Sequence, residues 1–377
     1  MDKFDVVIVG GGFAGLSTAL HVCREVDATV LLIDKNAIGN PRKTSPFTFH
    51  DVVERYELHS AILQKYTRFS YESPAGISAH FQYDYVPFVT IDYQKACRTL
   101  LRRAQKDGNI EVLENTKAIK FENEKALFRP SKHKLVISNS AEITYDVLVD
   151  AAGIAFFASR QLGVRLPSLY SHAYGELLTD CNIEDPERMR IFTGRKYGNG
   201  GGWLYPLNEK TARFGFATVT TSADHPEEIT RQNFKNALES FHPYNRMLEK
   251  SQRIRCELGS IPIGPLRKIV YGNIMIVGDA AGQATPWYCE GMRPALEAGE
   301  LCAEAIVNAY KKKDYSTKNL NKYQELWDFR NRKLYSRTAQ YGYNAWFRNQ
   351  EEWDSAVKFV ASLKPEEMVE RIRYSRF

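Results

Sequence analysis

The sequence has no Cys-x-x-Cys pair; its six cysteines, Cys23, Cys97, Cys181, Cys256, Cys289 and Cys302, are scattered. That suggests neither a zinc site nor a disulfide framework, and most of the thiols are expected to be small buried hydrophobes. No apolar run approaches the roughly 18 residues that a membrane span needs. The first strand pattern starts close to Met1, which leaves no room for a signal or transit peptide, so a cytoplasmic location is expected. Internal repeats and low-complexity tracts are absent. Excess charge is confined to one end: residues 311–377 hold 15 Lys or Arg against 9 Asp or Glu, whereas the residues before them hold 36 of each sign. No nucleic-acid partner is expected. A solvated helical face accounts for the basic tail, and so does attraction to an anionic surface, either phospholipid or an acidic electron donor.

What is present is a chain of 377 residues, 44% apolar and 25% charged, the composition of a globular protein of two domains or one elaborated α/β domain. It is organised around residues 5–15. Val6, Val7, Ile8 and Val9 make the continuous apolar run of a buried parallel strand. A Gly-x-Gly-x-x-Gly turn follows, and Phe13 and Ala14 lead into a helix over 16–22. Gly10 permits the tight bend, Gly12 the close approach of a pyrophosphate and Gly15 the close packing of helix on sheet. Free N–H groups at the helix start supply an anion site. A second strand over 28–33 ends in Asp34, at about the distance expected of the acid that binds an adenosine ribose.

Further along, 38–46 has the glycine and prolines of a loop, and 50–66 predicts a helix on a loosely apolar face. Phe81, Tyr83 and Tyr85 alternate with polar residues as in a half-buried strand, and 91–106 predicts a helix ending at Asp107-Gly108. Short strands near 111–113, 117–121, 134–138 and 144–149 resemble a meander returning to the parallel sheet. Strand patterns dominate 166–263, with one helix over 228–241. A buried strand over 274–277 leads into Gly278-Asp279-Ala280-Ala281, and a helix runs from near Gly291 to Tyr310. The last 67 residues predict helix throughout, with Leu320, Tyr323, Trp327, Leu334, Tyr341 and Ala345 forming one apolar stripe.

An aspartate at the end of a buried strand can accept hydrogen bonds from a polyol, and a helix starting at Gly291 aims its positive end beyond it. The glycine turn, Asp150-x-x-Gly153 and Gly278-Asp279-Ala280-Ala281 match, in order, the FAD-binding fingerprints of the para-hydroxybenzoate-hydroxylase-fold flavoproteins, which the chain resembles over about residues 4–310. Within them, Gly202-Trp203-Leu204-Tyr205-Pro206 is similar to the Tyr-x-Trp-x-Phe-Pro signature of the geranylgeranyl reductases, with Gly201 in place of the leading tyrosine. The resemblance implies an α/β fold, an FAD-binding Rossmann-like domain interleaved with a β-sheet substrate domain, plus a helical C-terminal segment. The FAD-binding parts are 1–75, 93–163 and 267–310, the substrate parts are 76–92 and 164–266, and 311–377 is the basic helical segment.

FAD contacts are implied at Gly10, Gly12, Phe13, Ala14, Gly15, Asp34, Lys35, Thr44, Arg98, Ala118, Gly153, Gly278, Asp279, Ala281, Pro286, Gly291 and Met292. Thr44 stands where the family loop carries a cysteine, and Tyr93 where many relatives carry an arginine, which leaves a diphosphate contact to Arg98. Trp203, Tyr205, Trp287, Tyr83 and Tyr85 are the implied apolar walls. Cys289, Glu290 and Tyr205 are the candidate catalytic residues, the first two as proton donors; a carboxyl in an apolar pocket has its pKa raised, which suits an acid. No metal is implied. The implied reaction is reduction of C=C bonds in geranylgeranyl or polyprenyl chains by hydride from reduced flavin plus a proton. Electrons would come from a ferredoxin or NAD(P)H bound transiently, and the protein would sit peripherally on an anionic membrane. A flavin monooxygenase, hydroxylase or halogenase, a non-redox carotenoid cyclase and a flavin-free prenyl-binding protein stay open as alternatives.

Overall fold

In the computed structural model the strand Asp2–Val9 lies between Val30–Ile33 and Glu142–Asp150, parallel to both. The described residues are 2–40, 47–123, 133–138, 140–222, 224, 226–240, 246–332, 335–337 and 349–374. Ile274–Ile276 and Ile110–Leu113 extend the parallel set on either side, and Val270–Tyr271 adds an antiparallel edge. Strands covered on both faces must be apolar throughout, and Val6, Val7, Ile8, Leu32 and Val149 are all fully buried. The helices Phe13–Glu25 and Met292–Lys312 pack against each other, with Tyr93–Asp107 beside the first. Ile110–Leu113 is therefore a strand of the parallel sheet. Among the described residues only Ala118–Asn123 and His133–Ile137 make an antiparallel excursion before Glu142–Asp150, which corrects the expected four-strand meander.

The second sheet has seven strands in the order Gln252–Ile263, Leu169–Thr179, Ala212–Thr220, Gly200–Pro206, Arg188–Thr193, Arg68–Glu72 and Ser78–Gln82. All neighbours are antiparallel except Arg188–Thr193 and Arg68–Glu72. The helix Glu227–Ser240 covers one face, Phe234 packing edge-on against Tyr174 and Phe214. The chain enters this sheet at Arg68, so a division at 75/76 falls inside a hairpin in which Phe69 pairs with Phe81.

A third sheet joins Phe47–Phe49, Phe88–Ile91 and Ile62–Tyr66. The helix expected over 50–66 stops at Arg55. Glu57 takes a left-handed φ of +53°, and Ile62–Tyr66 finds a strand partner, whose pairing outweighs a loose helical pattern. Ile91 closes its strand, and Asp92 caps Tyr93–Asp107 by accepting from the Lys95 N–H at 2.9 Å. The strand carrying Phe81 ends at Gln82, leaving Tyr83 in a ring contact with Phe88 and Tyr85 45% exposed.

The C-terminal segment is helical in pieces: Thr317–Leu320, Lys322–Trp327, a π-helical turn Asp328–Arg332, Gln350–Ala361 and Pro365–Tyr374. Leu320, Tyr323 and Trp327 are buried as the stripe requires; Leu334, Tyr341 and Ala345 lie outside the described residues. The segment also braces the first domain. The Tyr323 hydroxyl donates to the Ile276 carbonyl at 3.0 Å and accepts from Gln283 Nε2 at 2.8 Å, while Gln283 Oε1 accepts from the Gly278 N–H at 2.6 Å. Among the described residues no helix is long and apolar enough to cross a membrane.

Candidate active site

A cleft of about 970 Å³ opens at the C-terminal ends of the parallel strands, where ligands of open α/β sheets bind. Gly10, at φ +113°, leaves no room for a side chain: a Cβ would lie 2.2 Å from the Ala151 carbonyl oxygen, and one on Gly15 would lie 2.0 Å from that of Gly10. The fold itself needs both glycines. Gly12 is different, because a Cβ there would meet nothing closer than the Tyr93 hydroxyl at 3.7 Å, yet the residue lines the cleft. The space beside it is kept for a ligand. Gly12 caps Phe13–Glu25 without a side-chain hydrogen bond, which leaves first-turn N–H groups at Phe13 and Ala14, both in the cleft lining, for an anion.

Asp34 Oδ2 accepts from the Gly11 N–H and Oδ1 from the Asn36 N–H, each at 2.8 Å. A carboxylate held this way keeps lone pairs for a ribose hydroxyl. Lys35, Ala118, Gly153, Gly278 and Asp279 line the same end. Asp150, fully buried behind the turn, accepts from the Ala152 and Ala158 N–H groups at 3.0 and 2.7 Å, and burial pushes its carboxyl up to about 6.

Four expected contacts are not in this lining. Arg98 pairs with Glu114 at 2.6 Å instead of reaching the turn. Gly15 lies under the turn, Ala281 is buried in the short 3-10 turn Gly278–Ala281, and Pro286 precedes the lining residue Trp287. Thr44 lies outside the described residues. Arg160 and Gln161, on the short helix Phe157–Gln161, line the nucleotide end and carry no motif that would have marked them.

The other end of the cleft lies on the seven-stranded sheet. Its register aligns Gly259, Ala173, Ala217, Gly201 and Thr193 in one row across five strands, and all five line the cleft. Four strand spacings make the row roughly 19 Å long. On one side the next row is Gly175, Gly215, Trp203, Ile191 and Tyr71, with the Trp203 indole lying where a Cβ on Gly215 would be, 2.2 Å away. On the other side stand Ser171, Val219 and Ile261. The result is a trough with a small-residue floor and taller walls. Tyr205, stacked on Trp203 at 6.1 Å and packed on Phe47, closes one end. Tyr83 and Tyr85 do not line the trough, because their strand ends before them and turns them toward Phe88 and solvent.

Between the two ends pass Trp287, Tyr288, Cys289 and Glu290. Trp287 leans on Trp353 of the C-terminal segment, 5.8 Å between ring centres. Cys289 has a left-handed φ of +52°, an uncommon conformation for a residue with a Cβ, and burial pushes its thiol up to about 11. Glu290 is 2% exposed. Its Oε1 accepts from the Arg293 N–H at 2.7 Å and from Thr48 Oγ1 at 3.3 Å. Oε2 has no hydrogen-bond partner among the described residues. Burial raises this carboxyl, and the nearby Arg293 charge opposes the rise.

A glycine-turn nucleotide site that opens onto an apolar trough defines a flavoprotein of the interleaved two-sheet type. The chain belongs to the lycopene cyclase protein family, whose family model matches residues 5–341. It is 24% identical over 341 residues to digeranylgeranylglycerophospholipid reductase 3 of Methanosphaera stadtmanae, covering 86% of this chain and 83% of that protein. The structure is similar, with a TM-score of 0.84 at 20% identity, to a geranylgeranyl bacteriochlorophyll reductase-like protein of Thermoplasma acidophilum, covering 97% and 93% of the two chains. A halogenase crystallised in complex with FAD has a TM-score of 0.68 at 17% identity over 86% of this chain and 73% of its own. The resemblance to geranylgeranyl reductases carried by the motifs agrees with the first two of these relatives. The open space beside Gly12, the uncapped helix start and Asp34 fit FAD.

Two outcomes test the site. Gly12→Ala is expected to change unfolding stability by less than about 1 kcal/mol, because only a helix cap is altered, and to lower FAD affinity at least about tenfold. Equal affinity by flavin fluorescence titration would contradict the ligand space. Asp150, raised in the folded state above the ordinary value near 4, stabilises fully only below that value, and the stabilisation is lost as pH rises through 6. Between pH 4 and 6 the protein should lose about 2 kcal/mol relative to Asp150→Asn in denaturant unfolding; parallel pH curves would contradict this.

Proposed function

We propose that the protein reduces C=C bonds of prenyl chains, in an isoprenoid lipid or prenyl diphosphate, with FAD as cofactor. The observation that carries the reading is the Gly259, Ala173, Ala217, Gly201 and Thr193 row, a chain-shaped apolar trough continuous with the nucleotide cleft. Two of the relatives support it, one named a digeranylgeranylglycerophospholipid reductase and the other geranylgeranyl bacteriochlorophyll reductase-like. Each buried prenyl methylene contributes about 0.8 kcal/mol, so a long chain gains enough over several units to leave a bilayer.

The N–H groups of Phe13 and Ala14 would hold the FAD diphosphate, Asp34 and Lys35 the adenosine ribose, Asp279 the ribityl chain, and the helix start at Gly291 and Met292 the polar edge of the flavin ring. Bound and reduced, FAD supplies a hydride, so that with one proton the π bond of the alkene is exchanged for two C–H bonds. An unactivated alkene needs that proton to arrive almost together with the hydride. Glu290 would supply it: Oε1 accepts from Thr48 and the Arg293 N–H, and Oε2, which has no hydrogen-bond partner among the described residues, would carry the proton. The Cys289 thiol stays protonated at neutral pH and is the second donor. Trp203 and Tyr205 keep water from the trough.

Reducing equivalents come from NAD(P)H or a ferredoxin bound transiently. Exposed Lys311, Lys312 and Lys313, at the end of Met292–Lys312, favour docking on an anionic membrane. Anionic vesicles should bind the protein at low salt and release it at high salt; attachment indifferent to salt would contradict electrostatic docking.

The family model favours a second reading, proton-initiated cyclisation of a carotenoid without net reduction. One experiment separates the two. The flavin is reduced anaerobically with dithionite, a geranylgeranylated lipid is added, and flavin absorbance and lipid mass are followed. Reoxidation with two hydrogens gained per double bond is expected. A product of unchanged mass would favour cyclisation, and reoxidation only on admitting oxygen would favour a monooxygenase.

A further inference from the structure

The buried Arg293 guanidinium is shared among several acceptors, and the one nearest the cleft receives least. Its Nη1 donates to Glu297 Oε2 at 3.0 Å, and its Nη2 donates both to the Tyr335 hydroxyl at 3.0 Å and to the Arg373 backbone carbonyl at 2.8 Å. Its Nε stands 3.7 Å from Glu290 Oε2, beyond a hydrogen bond. A carboxylate and a guanidinium free to approach in a dry site would close into a bidentate pair. We infer that Tyr335 and the Arg373 carbonyl act as positioning groups that hold the Arg293 guanidinium off Glu290, so that the buried Oε2 is left without a hydrogen bond and is able to hold a proton.

Both groups belong to the C-terminal segment, 42 and 80 residues beyond Arg293. Tyr335 is fully buried and set edge-on against Trp327 at 5.9 Å. The Arg373 carbonyl lies in the last turn of Pro365–Tyr374, where helix carbonyls lack intrahelical partners and accept from a cation. The Arg373 guanidinium itself turns away, donating to Asp51 at 2.8 Å and lying over the Phe49 ring at 4.2 Å. Among the described residues the groups facing Glu290 are therefore few. Thr48 bonds it from Phe47–Phe49, Arg293 and Glu297 act with opposite sign from the helix Met292–Lys312 that follows it, and Tyr335 and the Arg373 carbonyl draw Arg293 back. A captured Arg293 would lock Glu290 as a carboxylate with nothing to donate. The segment thus fixes the protonation of the site as well as its walls.

The inference rests on the reading of Glu290 as proton donor, and the test separates the two. The infrared carbonyl band of protonated Glu290, assigned by its loss in Glu290→Gln, is followed against pH in flavin-free and flavin-loaded protein. Tyr335→Phe is expected to lower the midpoint by about one pH unit, a tenfold loss of proton affinity, because Arg293 moves toward the carboxyl. Arg293→Met is expected to raise it, and Thr48→Val, which leaves Arg293 in place, also raises it if the methionine variant does not fold. A Tyr335→Phe midpoint that stays or rises overturns the inference, whatever the turnover. Midpoints that move as stated without prenyl reduction uphold the positioning and overturn the reductase reading.

Discussion

The contact of Gly10 with the Ala151 carbonyl sets the geometry on which the rest depends. Two parallel strands end there together, and the following turns lie so close that neither Gly10 nor Gly15 tolerates a Cβ. Asp150 pins the second turn through two backbone N–H groups, and Asp34 pins the first through Gly11. With both turns fixed, Phe13–Glu25 presents uncapped N–H groups at a defined spot, and Gly12 faces empty space. An anion site made this way needs no charged side chain, which is why losing Arg98 to Glu114 leaves it intact.

The nucleotide half gains its chemistry from a sheet that shares none of its strands. Pairing register brings five small residues into one row, and a tryptophan folded over two glycines raises the wall beside them. The C-terminal segment then supports both halves: Tyr323 through Gln283 to Gly278, Trp353 against Trp287, and Tyr335 with the Arg373 carbonyl on Arg293. A basic tail in composition, it is a structural brace in space.

What could be read from the sequence was local. The run from Val6 to Val9, the glycines after it and Asp34 sit within one βα unit, so spacing alone located the nucleotide site. Cys289 and Glu290 were candidates because their segment replaces a usually glycine-rich one in the reductases that the chain resembles. The trough floor was not legible, since its residues are single small side chains on five strands, aligned only by register. The stretch 50–66 misled because a loosely apolar pattern fits helix and strand alike, and the pairing of Ile62–Tyr66 with Phe88–Ile91 decides it. Arg98 looked free until Glu114, brought near by the parallel sheet, claimed it. The Arg293 to Tyr335 link joins residues 42 apart with no shared pattern.

The central claim is that one cleft serves both flavin and chain, with the small-residue row as the bed of the substrate. Ala217→Leu, at the middle of that row, fills the trough without touching the glycine turn. Its flavin content and its turnover of a geranylgeranylated lipid would be measured side by side. Full flavin content with turnover lost is the predicted result; undiminished turnover would place the chain elsewhere and contradict the claim.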